Sequence, residues 1–105
     1  ITRDLETVLG TFKALSEEAR IHIVLALQEE EQSVSRLVGA LELPQSTVSR
    51  HLATLRNAEL VSTRREGTRV FYKLKSSHIG DLVLQAFAHA EHARRGLPDH
   101  PKRKR

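Results

Sequence analysis

The chain has 105 residues, 29% of them charged and only 4% aromatic, and its 17 basic and 13 acidic side chains leave a net charge of +4. That length fits one domain of about 100 residues, with little room for a deep catalytic cleft. With no cysteine, disulfides, thiolate metal ligands and thiol redox chemistry are excluded together.

In chain order, Leu5, Val8, Leu9, Phe12 and Leu15 recur at helical spacing and predict an amphipathic helix over 3–15. Ser16 followed by Glu17 and Glu18 reads as the N-cap of a second helix reaching about Glu30. Its stretch from Ile21 to Leu27 is apolar on most sides, as a central core helix requires. Ser33 caps a short third helix with Val34, Leu37, Val38 and Leu41 on one face. Leu43-Pro44 breaks the pattern, and a fourth helix from about Gln45 to Ala58 buries Val48, Leu52 and Leu55. After Leu60 the period becomes two. The runs 61–65 and 68–74 read as a hairpin turning at Glu66-Gly67, with Thr68, Val70, Tyr72 and Leu74 facing one way and Arg69, Phe71 and Lys73 the other. Ser76 or Ser77 then caps a last helix to about Arg95, which Gly96 ends and Pro98 and Pro101 keep from resuming. The expected organisation is one domain over 1–95 and a basic flexible tail over 96–105, ending in Lys102-Arg103-Lys104-Arg105. No apolar run approaches the roughly 20 residues of a membrane span and no signal peptide opens the chain, so a cytoplasmic protein with no membrane partner is expected.

Charge follows this order. Residues 1–42 carry a net −4, residues 43–75 a net +5 and residues 76–105 a net +3. The positive half starts where the fourth helix starts, and two short helices joined by a tight turn and followed by a hairpin describe a winged helix-turn-helix, mainly α with a small β wing. In such folds the second helix enters the major groove and reads bases with its N-terminal residues. Gln45, Ser46, Thr47, Ser49 and Arg50 supply short or forked hydrogen-bonding groups there, and Val48 alone in that run looks apolar and buried. Arg64, Arg65 and Arg69 surround the hairpin tip, where arginine suits a wing on the backbone or in the minor groove. Exposed strands also carry basic residues for solubility, but an acid-poor helix beside an acid-poor wing favours double-stranded DNA as the partner. No general acid or base is paired with the histidines as hydrolysis requires, so no enzyme is expected.

These residues also carry a resemblance. Ala14-Leu15-Ser16-Glu17-Glu18-Ala19-Arg20-Ile21-His22-Ile23-Val24, the run from Gln45 to Arg56, Leu60-Val61, and Gly67-Thr68-Arg69-Val70-Phe71-Tyr72-Lys73-Leu74 together resemble the ArsR/SmtB family of bacterial metal-sensing repressors. The resemblance implies a homodimer built on the first and last helices, bound to a near-palindromic operator and released when an inducer binds. One sensing site of that family uses cysteines in the third helix, where this chain has Ser33-Val34-Ser35. Another follows D-x-H-x10-H-x2-H or E on the last helix; here Ser76, His78, His89 and His92 stand in register, with serine in the place of the carboxylate.

Helix geometry constrains that site independently. Ile79, Leu82, Val83, Ala86, Phe87 and Ala90 form an apolar stripe, and His78, His89 and His92 lie along its edge. His78 and His89 are roughly 16 Å apart along the axis, too far for one ion with bonds of about 2 Å. An antiparallel second copy crossing near Leu84 brings His78 opposite the other copy's His89 and His92, giving two equivalent sites per dimer. Imidazole ligands suit Zn2+, with Ni2+ or Co2+ as alternatives. Ser76, or Asp81 one turn from His78, is a weaker candidate for the remaining position. The competing expectation is the same repressor with a lost or altered, non-metal effector site. Of the other histidines, His51 reads as a structural hydrogen-bonding residue, His22 as packed in the core helix, and His100 as a possible extra ligand in the tail.

Overall fold

The computed structural model describes residues 2–96. Ile1 and everything after Gly96, including His100 and the Lys-Arg run, lie outside the described residues. The order is α1 (Thr2–Ala14), α2 (Glu18–Glu29), β1 (Gln32–Ser33), α3 (Val34–Leu41), α4 (Gln45–Asn57), β2 (Val61–Glu66), β3 (Arg69–Leu74) and α5 (Ser77–Arg95). It is a winged helix-turn-helix, with α3, α4, α5 and β3, the middle strand of a small antiparallel sheet, packed around α2.

The α1–α2 junction corrects the expected cap. Glu17, with extended backbone, holds the N-cap position of α2 and makes no side-chain capping bond. Ser16 instead donates its hydroxyl back to the Lys13 carbonyl at 2.7 Å, satisfying an open acceptor at the end of α1. From there Ile23, Val24 and Leu27 of α2 meet Leu37 of α3, Val48, Leu52 and Leu55 of α4, Leu60, Val61 and Val83 in one core. His22 is not part of it: the ring is exposed and lies 3.6 Å from Glu18, because each residue advances about 100° around the helix and the step from Ile23 puts it off the core-facing stripe.

The sheet holds three strands in the order β1-β3-β2, one more than the expected hairpin. β1 has only two residues, Gln32 opposite Tyr72 and Ser33 opposite Phe71, too short to show a period of two. In the hairpin Glu66 pairs with Arg69, so the loop is Gly67-Thr68, one residue later than expected. Gly67 takes the positive φ, +63°, that such two-residue loops demand. The end of α4 is closed by a bond from Leu60 N to Leu55 O and one from Glu59 N to Arg56 O, the double closure that sets up the turn into β2. Ser76 stands at the N-cap of α5 with no side-chain cap bond, and Gly96 closes that helix in the left-handed region at φ +69°.

Candidate nucleic-acid interface

α4 is held on one side and open on the other. Ser33 accepts a hydrogen bond from Arg36 N at 3.2 Å and so caps α3 as expected. Leu37, Val48, Leu52 and Leu55 are fully buried and lock α3 against α4. On the opposite face Gln45, Ser46, Ser49 and Arg50 are exposed and Thr47 is half-buried. None of these five side chains makes an ion pair or a side-chain hydrogen bond among the described residues. Their donors and acceptors are free for an external partner, and the first turn of α4 holds no acid to repel phosphate.

Directly beneath this row lies a polar cluster of a different kind. Arg20 is buried, donates from Nε to the Ala14 carbonyl, lies 3.3 Å from Glu17, and reaches Nδ1 of buried His51 on α4 at 3.0 Å. A guanidinium has no lone pair to offer, so the bond requires the neutral ring to accept at Nδ1. Burial pushes the His51 pKa down, and the nearby charges of Arg50 and Arg20 push it further, against a smaller raising influence from Glu17. His51 is thus the structural hydrogen-bonding residue the sequence suggests. Arg20 had a visible signal, since with Ile23, Val24 and Leu27 it completes the i, i+3, i+4, i+7 stripe of α2, where an arginine needs a buried partner.

The wing divides its three arginines. Arg65 and Arg69 are exposed near the tip and make no ion pair among the described residues, and Arg69 lies over the Phe71 ring at 5.0 Å. Arg64 is occupied: Nε and Nη2 meet the two carboxylate oxygens of Glu31 at 2.8 and 2.9 Å, and Nη1 lies 3.4 Å from Glu66. Sequence reasoning missed Glu31 because the pair spans 33 residues and follows from strand order alone.

The far side of the molecule differs. Leu5, Val8, Leu9 and Phe12 of α1 and Leu84 and Phe87 of α5 are large exposed apolar side chains. Phe12, Leu15, Ile21, Leu82, Ala86 and Phe87 help line an open apolar groove between α1 and α5. His78 and His89 are exposed on α5, His92 is half-buried, and Asp81 is exposed. Among the described residues, no three histidine, aspartate or glutamate side chains come together to hold a metal within one chain. No helix among the described residues is long and apolar enough to cross a membrane.

The chain is similar to known proteins. The model for bacterial regulatory proteins of the arsR family matches residues 17–63, from the start of α2 into β2. The HTH-type transcriptional regulator KmtR of Mycobacterium tuberculosis is 42% identical over 93 residues, covering 89% of this chain and 72% of KmtR. The HTH-type transcriptional repressor SmtB of the same species is 45% identical over 78 residues, covering 74% of this chain and 58% of SmtB. Among solved structures, the homodimeric winged helix-turn-helix domain of Mb0332 from Mycobacterium bovis, a possible ArsR-family regulator, superposes with a TM-score of 0.83. It is 27% identical and covers 94% of this chain and 92% of that one.

Proposed function

The chain belongs to the arsR family of bacterial regulatory proteins, a DNA-binding transcriptional regulator and not an enzyme, and on that premise we propose a homodimeric repressor released by a divalent transition metal. The observation that carries the DNA part is the unpartnered row on α4 beside Arg65 and Arg69. In this reading Gln45, Ser46, Thr47, Ser49 and Arg50 reach bases and phosphates of a near-palindromic operator, and the wing arginines hold the flanking backbone. A second copy is supported by the homodimeric state of Mb0332, and the exposed apolar faces of α1 and α5 are the surfaces we assign to it.

His78 of one copy and the partner's His89 and His92 would hold the ion, Zn2+ before Ni2+ or Co2+, with Ser76 or Asp81 nearest to the remaining position. Bound there, the metal supplies a cross-link between the two α5 helices. Two dimer states that differ in α5 crossing also differ in the spacing of their recognition helices, and a ligand favouring one changes DNA affinity reciprocally. The test is fluorescence anisotropy of a duplex selected by the protein from a randomised pool, in chelator and through a zinc titration. Tight binding in chelator that weakens with zinc is expected, and an affinity unchanged by zinc overturns the sensing part. Ser76, a neutral hydroxyl where the resemblance expects a carboxylate, favours a second reading in which the effector is not a metal. Calorimetry separates the two: zinc uptake by the wild type that His89→Ala abolishes supports the metal, and no uptake by the wild type supports the alternative.

A further inference from the structure

Glu31, in the connection that leads from α2 into β1, is not among the residues assigned to the DNA contact. Its carboxylate takes both Nε and Nη2 of Arg64 in a forked pair, the geometry in which guanidinium and carboxylate are best matched. Arg64 sits on β2 directly opposite Phe71 of β3, and Phe71 is in turn opposite Ser33 of β1. The Arg64 guanidinium lies 4.5 Å from the centre of the Phe71 ring. The side chain therefore runs from β2 across the middle strand to the connection before β1, tying the hairpin to the body of the domain. Within the hairpin, Glu66 adds a second carboxylate at 3.4 Å.

We propose that Glu31 and Arg64 form a strut that positions the wing, so that Arg65 and Arg69, and not Arg64, meet the DNA backbone. The inference rests on the DNA reading above and corrects the equal weight that sequence gives the three arginines. The strut keeps the hairpin from hinging at its base. Arg69 shares the Phe71 ring with Arg64, so the order imposed on Arg64 extends to a residue at the tip. A forked ion pair loses less side-chain freedom per bond than a lysine pair would, which suits a fixed element better than a mobile phosphate contact.

Charge alone and the strut make opposite predictions for Glu31→Gln. Removing an acid beside a polyanion site should tighten binding by electrostatics, whereas loss of the strut should weaken it. With a random-sequence duplex as probe, Glu31→Gln and Arg64→Gln are each expected to weaken binding by about fivefold, the scale of one ion pair near a surface. The double variant should be no weaker than either single one, since both remove the same strut. The salt dependence of log K should keep the wild-type slope in all three, whereas Arg65→Gln or Arg69→Gln should each lower it by about 0.9, the share of one neutralised phosphate. Hydrogen exchange of wing amides should speed up in Glu31→Gln while the α4 core amides stay protected. Tighter binding by Glu31→Gln, or a reduced slope in Arg64→Gln, overturns the proposal and makes Arg64 a phosphate-binding residue. If the wild type retains no duplex, the DNA reading falls instead, and wing exchange unchanged by Glu31→Gln still refutes the strut.

Discussion

The α3–α4–wing half and the α1–α5 half of this molecule are finished to different degrees. In the first, Leu37, Val48, Leu52, Leu55, Leu60 and Val61 are buried in the core, the polar groups of Arg20 and His51 are paired beneath the surface, and the wing is tied down through Glu31. In the second, Phe12 and Phe87 are 56% and 53% exposed, and the histidines on α5 form no ligand cluster among the described residues. A recognition surface can be completed by a single chain because it only has to be rigid and open. The proposed assembly surface and intersubunit site would need a second copy, and the uncovered apolar side chains of α1 and α5 are the surface assigned to it in that proposal.

The largest expected effect comes from truncating the finished half. Leu52→Ala removes a fully buried side chain from the core face of α4 and should cost about 2–5 kcal/mol, seen as a loss of thermal midpoint that does not depend on protein concentration. The opposite half should answer in another observable. Phe12→Asp with Phe87→Asp places charges on surface that is already half open, so the fold persists as a monomer with native circular dichroism. DNA affinity should then fall by roughly 100-fold or more, because two linked recognition helices become two independent ones. Sedimentation that still shows a dimer in this variant would remove α1 and α5 from the interface.

Sequence and structure meet unevenly across the two halves, for physical reasons. The helix-turn-helix was legible because Val48, Leu52 and Leu55 obey one helical period and Leu43-Pro44 interrupts it, both local signals. The hairpin was legible from its change of period, with the loop displaced by one residue because Glu66 extends the ladder to pair with Arg69. β1 was not, since a two-residue strand carries no period, and the Glu31–Arg64 pair depends on that strand standing beside β3. His22 was misplaced because an apolar run reads as core on all sides, while α2 turns one flank to solvent. In the open half, the histidine register is read from spacing along α5 alone, and only the proposed second copy would complete it.

A smaller effect tests whether the finished half depends on its buried polar pair. His51 has its pKa lowered chiefly by burial, so the unfolded chain takes up a proton more readily than the folded one. The stability from the neutral ring is therefore full above the ordinary value of 6.5 and declines as pH falls from there towards the folded value. Between about pH 7 and about pH 5.5 the wild-type midpoint should drop by more than that of His51→Gln. Glutamine can accept the Arg20 bond at its amide oxygen but does not titrate in this range. Parallel pH profiles for the two proteins would mean that the ring is protonated without penalty and that the pair does not hold α4.

The smallest expected effect is a gain, and it locates a local cost at Glu42, which with Glu59 is one of two non-glycine residues at positive φ among the described residues. Glu42, in the turn between α3 and α4, closes α3 at φ +56° and ψ +43°, with its N–H on the Val38 carbonyl. A side chain in the left-handed region is crowded against its own carbonyl, and this turn commonly uses glycine for that reason. Glu42 is exposed and makes no ion pair or side-chain hydrogen bond among the described residues that would offset the strain. Glu42→Gly should therefore raise stability by about 0.5–1 kcal/mol, after the greater freedom of glycine in the unfolded chain is subtracted from the relief. Glu42→Gln separates backbone from charge, because it removes the negative charge and keeps the strained conformation. Equal midpoints for Glu42→Gln and wild type, with only Glu42→Gly higher, assign the cost to φ. A gain shared by both variants assigns it to the charge and leaves the turn unstrained.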